Sequence, residues 1–89
     1  MTIALPVSLS DIELARSRIS INVRATPVVE SPSLSELTGV PVHLKLEHQQ
    51  VTGSFKLRGA TNAVNQLSEA QRSHGVVGVS TGNHGRGLA

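Results

Sequence analysis

Thr52-Gly53-Ser54-Phe55-Lys56-Leu57-Arg58-Gly59-Ala60 is the stretch that decides the fold. It places a lysine one or two residues inside the start of a helix, with Ser54 as the predicted N-cap, its hydroxyl accepting from a free first-turn N–H. Lys56 then lies near the positive end of the helix dipole, which disfavours its ammonium form. A lysine attacks a carbonyl only as the neutral amine, and desolvation or nearby positive charge brings it to that state. Arg58 adds a second positive charge close by. Phe55 is the only aromatic residue of the chain, and Lys45 and Lys56 are its only lysines. Lysines are mostly exposed and inert; a second loop downstream gives this one a chemical reading.

Working outward, Val42, Leu44 and Leu46 alternate with His43, Lys45 and Glu47, the pattern of a half-buried strand. Lys56 therefore follows the carboxyl end of a strand through a loop. The helix is predicted from about Phe55 to Leu67, with Ala60, Ala63, Val64 and Leu67 as its apolar face. Ser68-Glu69-Ala70-Gln71 reads as one more capped helical turn. Val76-Val77-Gly78-Val79 is short, apolar and valine-rich, as in a strand buried on both faces of a parallel sheet. Ser80-Thr81-Gly82-Asn83-His84-Gly85-Arg86-Gly87 follows it, and a helix should begin where the chain ends. Strand, small-residue loop and helix start form an anion-binding arrangement, because free backbone N–H groups converge there. In open α/β sheets, ligands bind beyond the carboxyl ends of the strands.

Upstream, Ser10-Asp11-Ile12-Glu13 has the form of a capping box with Ser10 as N-cap, opening a helix to about Ile19. Thr26-Pro27 is extended, because proline pushes its predecessor out of the helical region, and Val28-Val29 follows as a short strand. Ser33-Leu34-Ser35-Glu36 is another capping pattern, with Gly39 just past a short helix.

Composition bounds the function. The chain has 89 residues, 38% of them hydrophobic, one Phe, no Trp, no Tyr and no Cys. That is one small domain at most, with a marginal core and nothing to staple it. The net charge is +2, and the eight basic residues are scattered. A nucleic-acid surface would show a basic stripe with stacking aromatics, so no nucleic-acid partner is expected. No apolar run approaches membrane-spanning length, and the N-terminus lacks a signal-peptide pattern; no membrane partner and a cytoplasmic location are expected. His43, His48 and His74 read as strand-side or loop residues, and no metal site is predicted.

The first loop offers an amine nucleophile; the second offers backbone donors, the Ser80 and Thr81 hydroxyls and the Asn83 amide. Together they suit a carbonyl cofactor held beside a carboxylate-bearing substrate. Neither nucleotide-loop pattern is present in the second loop.

These residues carry a resemblance. Leu44-Lys45-Leu46-Glu47, the Thr52–Ala60 run and Ser80-Thr81-Gly82-Asn83-His84-Gly85 resemble the fold-type-II pyridoxal-phosphate enzymes, in the branch of threonine/serine dehydratases and serine racemase. The likeness covers roughly residues 10 to 89, and Thr26-Pro27 matches an early T-P of that branch. His48-Gln49-Gln50-Val51 and Gly82–Gly87 look most like the hydroxyectoine-utilisation dehydratases. The resemblance implies an α/β fold, the N-terminal part of a tryptophan synthase β-like architecture with a parallel sheet, incomplete in this chain. Residues 1–75 would be part of the large cofactor domain and residues 76–89 the start of the small one.

It also implies roles. The cofactor would be pyridoxal 5'-phosphate. Lys56 would link to it as a Schiff base and later remove the substrate Cα proton. Phe55 would pack beside the cofactor ring, and Asn83 would hydrogen-bond its phenolic oxygen. Ser80, Thr81, Gly82, Asn83 and His84 would bind the substrate, its carboxylate mostly through backbone N–H groups. Thr81 lies where racemases of the branch carry a second acid/base serine, and its methyl crowds that site. The implied reaction is β-elimination on a hydroxy amino acid, an ammonia-lyase reaction giving a 2-oxo acid and ammonia. Racemisation and β-replacement are the alternatives within the fold; a non-catalytic remnant or small-anion binding module is the alternative outside it. The small-molecule partner would be an amino acid, a homodimer of a full-length chain is compatible with the resemblance, and the 89 residues by themselves are expected to be inactive.

Overall fold

The computed structural model describes residues 3–89. Helix α1 (Leu9–Ile19) is followed by strand β1 (Val28–Glu30), helix α2 (Pro32–Thr38) and strand β2 (His43–Lys45). A 3-10 turn (Glu47–Gln49) leads to α3 (Lys56–Asn65), then α4 (Glu69–His74) and α5 (Asn83–Leu88).

Three helix starts, those of α1, α2 and α4, have a local cause. Ser8 caps α1: its Oγ accepts from the Asp11 N–H at 3.2 Å while the Asp11 carboxylate accepts from the Ser8 N–H at 2.8 Å. The box thus opens two residues earlier than the Ser10 reading, because Asp11 closes it as well as a glutamate would. Those bonds, backbone first, hold the Asp11 carboxyl below its ordinary value. Ser31, not Ser33, caps α2, with Pro32 in the first turn, where a proline's missing N–H costs nothing. Gly39 ends α2 in the left-handed conformation, φ 74°, and its N–H returns to the Ser35 carbonyl. Ser68 and Gln71 form the predicted capping box of α4.

The two strands pair antiparallel, with Val28 opposite Lys45, Val29 opposite Leu44 and Glu30 opposite His43. Ser31 N–H to Val42 C=O at 2.9 Å and Leu46 N–H to Pro27 C=O at 3.0 Å extend the ladder at both ends. The alternation is blunter than expected: Val42 and Leu46 are half-buried, but Leu44 is exposed.

The parallel strand expected at Val76–Val79 is not formed, and no parallel pairing occurs among the described residues. Val77 and Val79 are 98% and 96% exposed. A strand exists only through its neighbours' hydrogen bonds, and none of the described strands lies beside this segment. The helix after it does form, as α5, within the chain.

The small core gathers on α3. Leu57 and Ala60 are buried there, with Ile19 of α1. Leu57 belongs to the buried face and Ala63 does not. Arg18 Nη1 to Asn62 Oδ1 (3.3 Å) and Asn65 Nδ2 to Arg18 C=O (3.1 Å) fasten α1 along α3. Helix α5 lies on the other side of α3, and Gly87 is the reason it can approach. A Cβ at Gly87 would stand 3.1 Å from Ala60 Cβ, 3.3 Å from the Lys56 carbonyl oxygen and 3.4 Å from Leu57 Cα.

Candidate active site

Lys56 is the first residue of α3. The residue before it, Phe55, occupies the cap position and makes no side-chain cap bond. Ser54 is thus one residue too early to cap. The turn closed by Gly53 N–H to Gln50 C=O, 2.8 Å, delays the helix, and Gly53 takes φ 84° there. The Ser54 and Thr52 hydroxyls are buried without hydrogen-bond partners among the described residues.

Across from Lys56 stands the second loop. Phe55, Lys56, Val79, Ser80, Thr81, Asn83 and His84 line one open cleft of about 670 Å³. The fold therefore brings together every predicted site residue except Gly82, which lies at the cap of α5 just behind the lining. The Gly82 N–H donates to Ser80 Oγ at 3.0 Å, and the Arg86 N–H bonds to the Gly82 carbonyl at 3.0 Å. The Gly82 amide is thus engaged inside the loop. The start of α5 has no side-chain cap, so its first-turn N–H groups stay free for an anion. Val79 joins the lining although the sequence pattern placed it in a buried strand.

The Lys56 ammonium lies 5.5 Å from the centre of the Phe55 ring, within cation–π range. Lys45, the only other lysine, donates to the Thr26 carbonyl at 3.2 Å and lines a different cavity. Arg58 is also absent from the cleft. It pairs with Glu47: Nε contacts Oε1, and Nη2 reaches Oε2 at 3.1 Å. Glu47 also accepts from the Thr26 hydroxyl. The Arg58 guanidinium, helped by that hydroxyl and opposed by burial, holds the Glu47 carboxyl down at about 2. Its hydrogen bond to Glu47 raises the Arg58 pKa. From the sequence Glu47 could be a surface carboxylate or the partner of a nearby base, and Arg58 could neutralise a carboxylate of the fold; the structure pairs the two, with the Glu47 side chain only 15% exposed. No short-range pattern signals the pair, because the two residues are eleven apart in a chain segment that turns twice.

A primary amine, a flanking aromatic ring, a side-chain amide and two hydroxyls beside free helix-start amides make up this donor set. It fits a pyridoxal-type cofactor: one amine to link it, one ring to pack on it, one amide for its phenolic oxygen. No group of three or more potential metal ligands occurs among the described residues, and no helix there is long and apolar enough to cross a membrane.

The comparisons agree with that class of site. Residues 19–89 match the family described as pyridoxal-phosphate dependent enzyme, and the chain belongs to it. It is 61% identical over 83 residues to a Sinorhizobium fredii protein named "Putative threonine dehydratase", covering 93% of this chain and 25% of that one. It is 50% identical over 84 residues to the L-threonine dehydratase catabolic TdcB of Staphylococcus aureus, covering 93% of this chain and 24% of the relative. Among solved structures, the serine racemase of Dictyostelium discoideum superposes with a TM-score of 0.84 at 46% identity, over 92% of this chain and 27% of that one. The chain thus spans about a quarter of the length of the curated relatives it matches. The fold-type-II architecture and the pyridoxal-phosphate dependence implied by the resemblance are those of this family.

Proposed function

We propose that this chain carries the lysine and the substrate-carboxylate loop of a pyridoxal-phosphate-dependent ammonia-lyase. The reaction removes water from a hydroxy amino acid and releases a 2-oxo acid and ammonia. The observation that carries the reading is the single cleft in which Lys56 faces Ser80, Thr81 and Asn83. Residues 1–75 belong, on this reading, to the large domain and residues 76–89 to the start of the small one.

Lys56, Phe55 and Asn83 would hold the cofactor. When bound, it supplies an electron sink for the negative charge left at the substrate Cα. The chain's own residues do the rest. Ser80, Thr81 and the amides at the start of α5 orient the carboxylate, where the helix dipole favours negative charge. The Phe55 ring flanks the amine. The Lys56 Nζ accepts the proton from Cα, acting as general base. The β-hydroxyl leaves as water, taking up a proton to balance the one Nζ received, and hydrolysis of the resulting enamine consumes one water and frees ammonia. The net change is amino acid to 2-oxo acid plus ammonia.

A second reading has its own observation. The Thr81 hydroxyl lines the same cleft as Lys56, and a proton held at Thr81 Oγ1 would allow return to Cα from another side. Solved relatives named as serine racemases match this stretch. Racemisation is therefore the competing outcome of the same first proton transfer.

The test is reductive trapping. The intact native gene product is incubated with pyridoxal phosphate, reduced with borohydride and mapped by peptide. Selective labelling of Lys56 over Lys45 is expected. Ammonia release from L-serine or L-threonine then supports the lyase, and D-serine formation supports the racemase. Equal labelling of both lysines, or none, overturns the reading.

A further inference from the structure

The first turn of α3 is badly built by local rules. It carries two cations, Lys56 and Arg58, no acidic residue and no side-chain cap. Cations are disfavoured at the positive end of a helix, and uncapped amides leave the first turn prone to fray. Yet the amine of Lys56 has to be held in one place to face the Ser80–Asn83 loop.

The opposite face of the helix supplies the hold. Residues two apart on an α-helix point about 200° apart. Arg58 accordingly lines a cavity with α1 and Lys45, while Lys56 lines the cleft with the loop. On that far side Arg58 grips Glu47 through both Nε and Nη2, a two-point fork that fixes orientation as well as distance. The fork is anchored in turn. The Thr26 hydroxyl donates to Glu47, and Arg58 Nη2 also reaches the Arg24 carbonyl at 3.3 Å. Gln50 closes the cluster: its Oε1 accepts from the Arg24 N–H at 2.7 Å and its Nε2 donates to the Arg24 carbonyl at 2.9 Å. Gln50 is 3% exposed and Thr26 is 6% exposed. Bonds this well shielded from water hold their geometry.

We infer that Glu47 is a positioning residue for Lys56: by clamping Arg58 it holds the uncapped first turn of α3, so that the lysine amine is presented to the Ser80–Asn83 loop. The inference rests on Lys56 being the reactive amine, and its test separates the two. Glu47 compensates the cation that anchors the helix. Lys56 itself has no carboxylate partner among the described residues.

The experiment is amide hydrogen exchange on the intact native gene product without added cofactor, comparing the native protein with Glu47→Gln. Exchange across residues 58–60, where the first bonded amides of α3 lie, is expected to rise about tenfold, between the effects of breaking an exposed and a buried ion pair. Residues 69–74 are expected to keep their native rates. The paired charge exchange, Glu47→Arg with Arg58→Glu, should return most of the protection. Glu47→Asp, one methylene shorter, should fall between native and Glu47→Gln, and serves if Glu47→Gln does not fold. Borohydride trapping with pyridoxal phosphate reads position directly: selectivity for Lys56 over Lys45 should drop in Glu47→Gln and recover in the charge exchange. Unchanged exchange at residues 58–60, or equal acceleration in every helix, overturns the inference. A protein that exchanges as expected but is never labelled at Lys56 overturns the reading of the amine and leaves the clamp standing.

Discussion

Residues 18–65 and residues 66–89 are held by different physics. In the first region, side-chain hydrogen bonds reach across long stretches of chain: Arg24 to Gln50, Thr26 to Glu47, Arg58 to Glu47, Asn65 to Arg18. In the second, α4 buries no residue, Val77 and Val79 stand in solvent, and α5 attaches through the close seat of Gly87 on Ala60 and the Lys56 carbonyl. The amine is therefore placed by directional bonds, which specify angle and distance. The loop opposite it is placed by shape, through one helix-on-helix approach. The two halves of the cleft should then fail differently when disturbed.

The largest effect is expected where the two regions share a wall. Leu57 is buried on α3, and its Cα lies 3.4 Å from where a Gly87 side chain would begin. Leu57→Ala should destabilise the intact protein by about 2–5 kcal/mol, the range for buried leucine truncation. Denaturant unfolding measures it. A loss under about 1 kcal/mol would mean the site collapses around the cavity at little cost, and that α3 is not the common support.

Gly87→Val comes next, and it divides the regions. Its branched side chain meets Ala60 and the Lys56 carbonyl at distances that require backbone to move. Overpacking of this kind costs about 1–3 kcal/mol. The expected signature is specific: carboxylate-dependent substrate binding weakens because the loop is pushed from the amine, while pyridoxal phosphate still labels Lys56. Gly85→Ala is the control, since a Cβ there would meet only Ser80 side-chain atoms at 3.7 and 3.8 Å, ordinary contact. Equal losses in both variants would show that α5 is loosely seated and the comparison overstated.

Acid sharpens the same contrast from the other side. The folded state holds the Glu47 carboxyl at about 2 against an ordinary 4.5, chiefly through Arg58. A carboxyl with a depressed folded value adds stability that is complete above its unfolded value and disappears as pH falls through the folded one. Thermal midpoints should therefore decline between about pH 4.5 and pH 2, with Glu47→Gln flattening that part of the curve. Native and Glu47→Gln curves of identical slope would show that other carboxylates carry the acid transition.

What could be read in the chain beforehand divides along the same line. The Lys56 run and the Ser80–Gly85 loop could be singled out because each is a short, contiguous motif, and the fold brings both to one cleft. The Ser68–Gln71 box and the Gly39 helix end were legible because caps are local. Ser10 and Ser33 misled because a second serine stands two residues earlier and reaches the free amide instead; Ser54 misled because the Gly53 turn delays α3, which no side chain caps. Val76–Val79 misled because a valine run states a preference, whereas a strand needs a neighbour to pair with. A base partner for Glu47 could be guessed, but the rest of the cluster could not: Glu47 lies 21 residues from Thr26 and Gln50 lies 26 from Arg24, and no periodicity links them.

The smallest effect tests whether the second region is autonomous. Ser68 closes the α4 box through its own Oγ, which accepts from Gln71 N–H at 3.2 Å, while Gln71 Oε1 accepts from Ser68 N–H at 2.8 Å. Ser68→Ala removes half of that exchange, for a typical cost of about 1 kcal/mol. Because α4 buries no residue and lies outside the cleft lining, the loss should stay local. Hydrogen exchange in residues 69–74 should quicken, with residues 58–60 and the labelling of Lys56 unchanged. If the labelling fell as well, α4 would be coupled to the lysine through the chain between Asn65 and Ser68. The division between a bond-held amine and a shape-held loop would then have to move beyond α4.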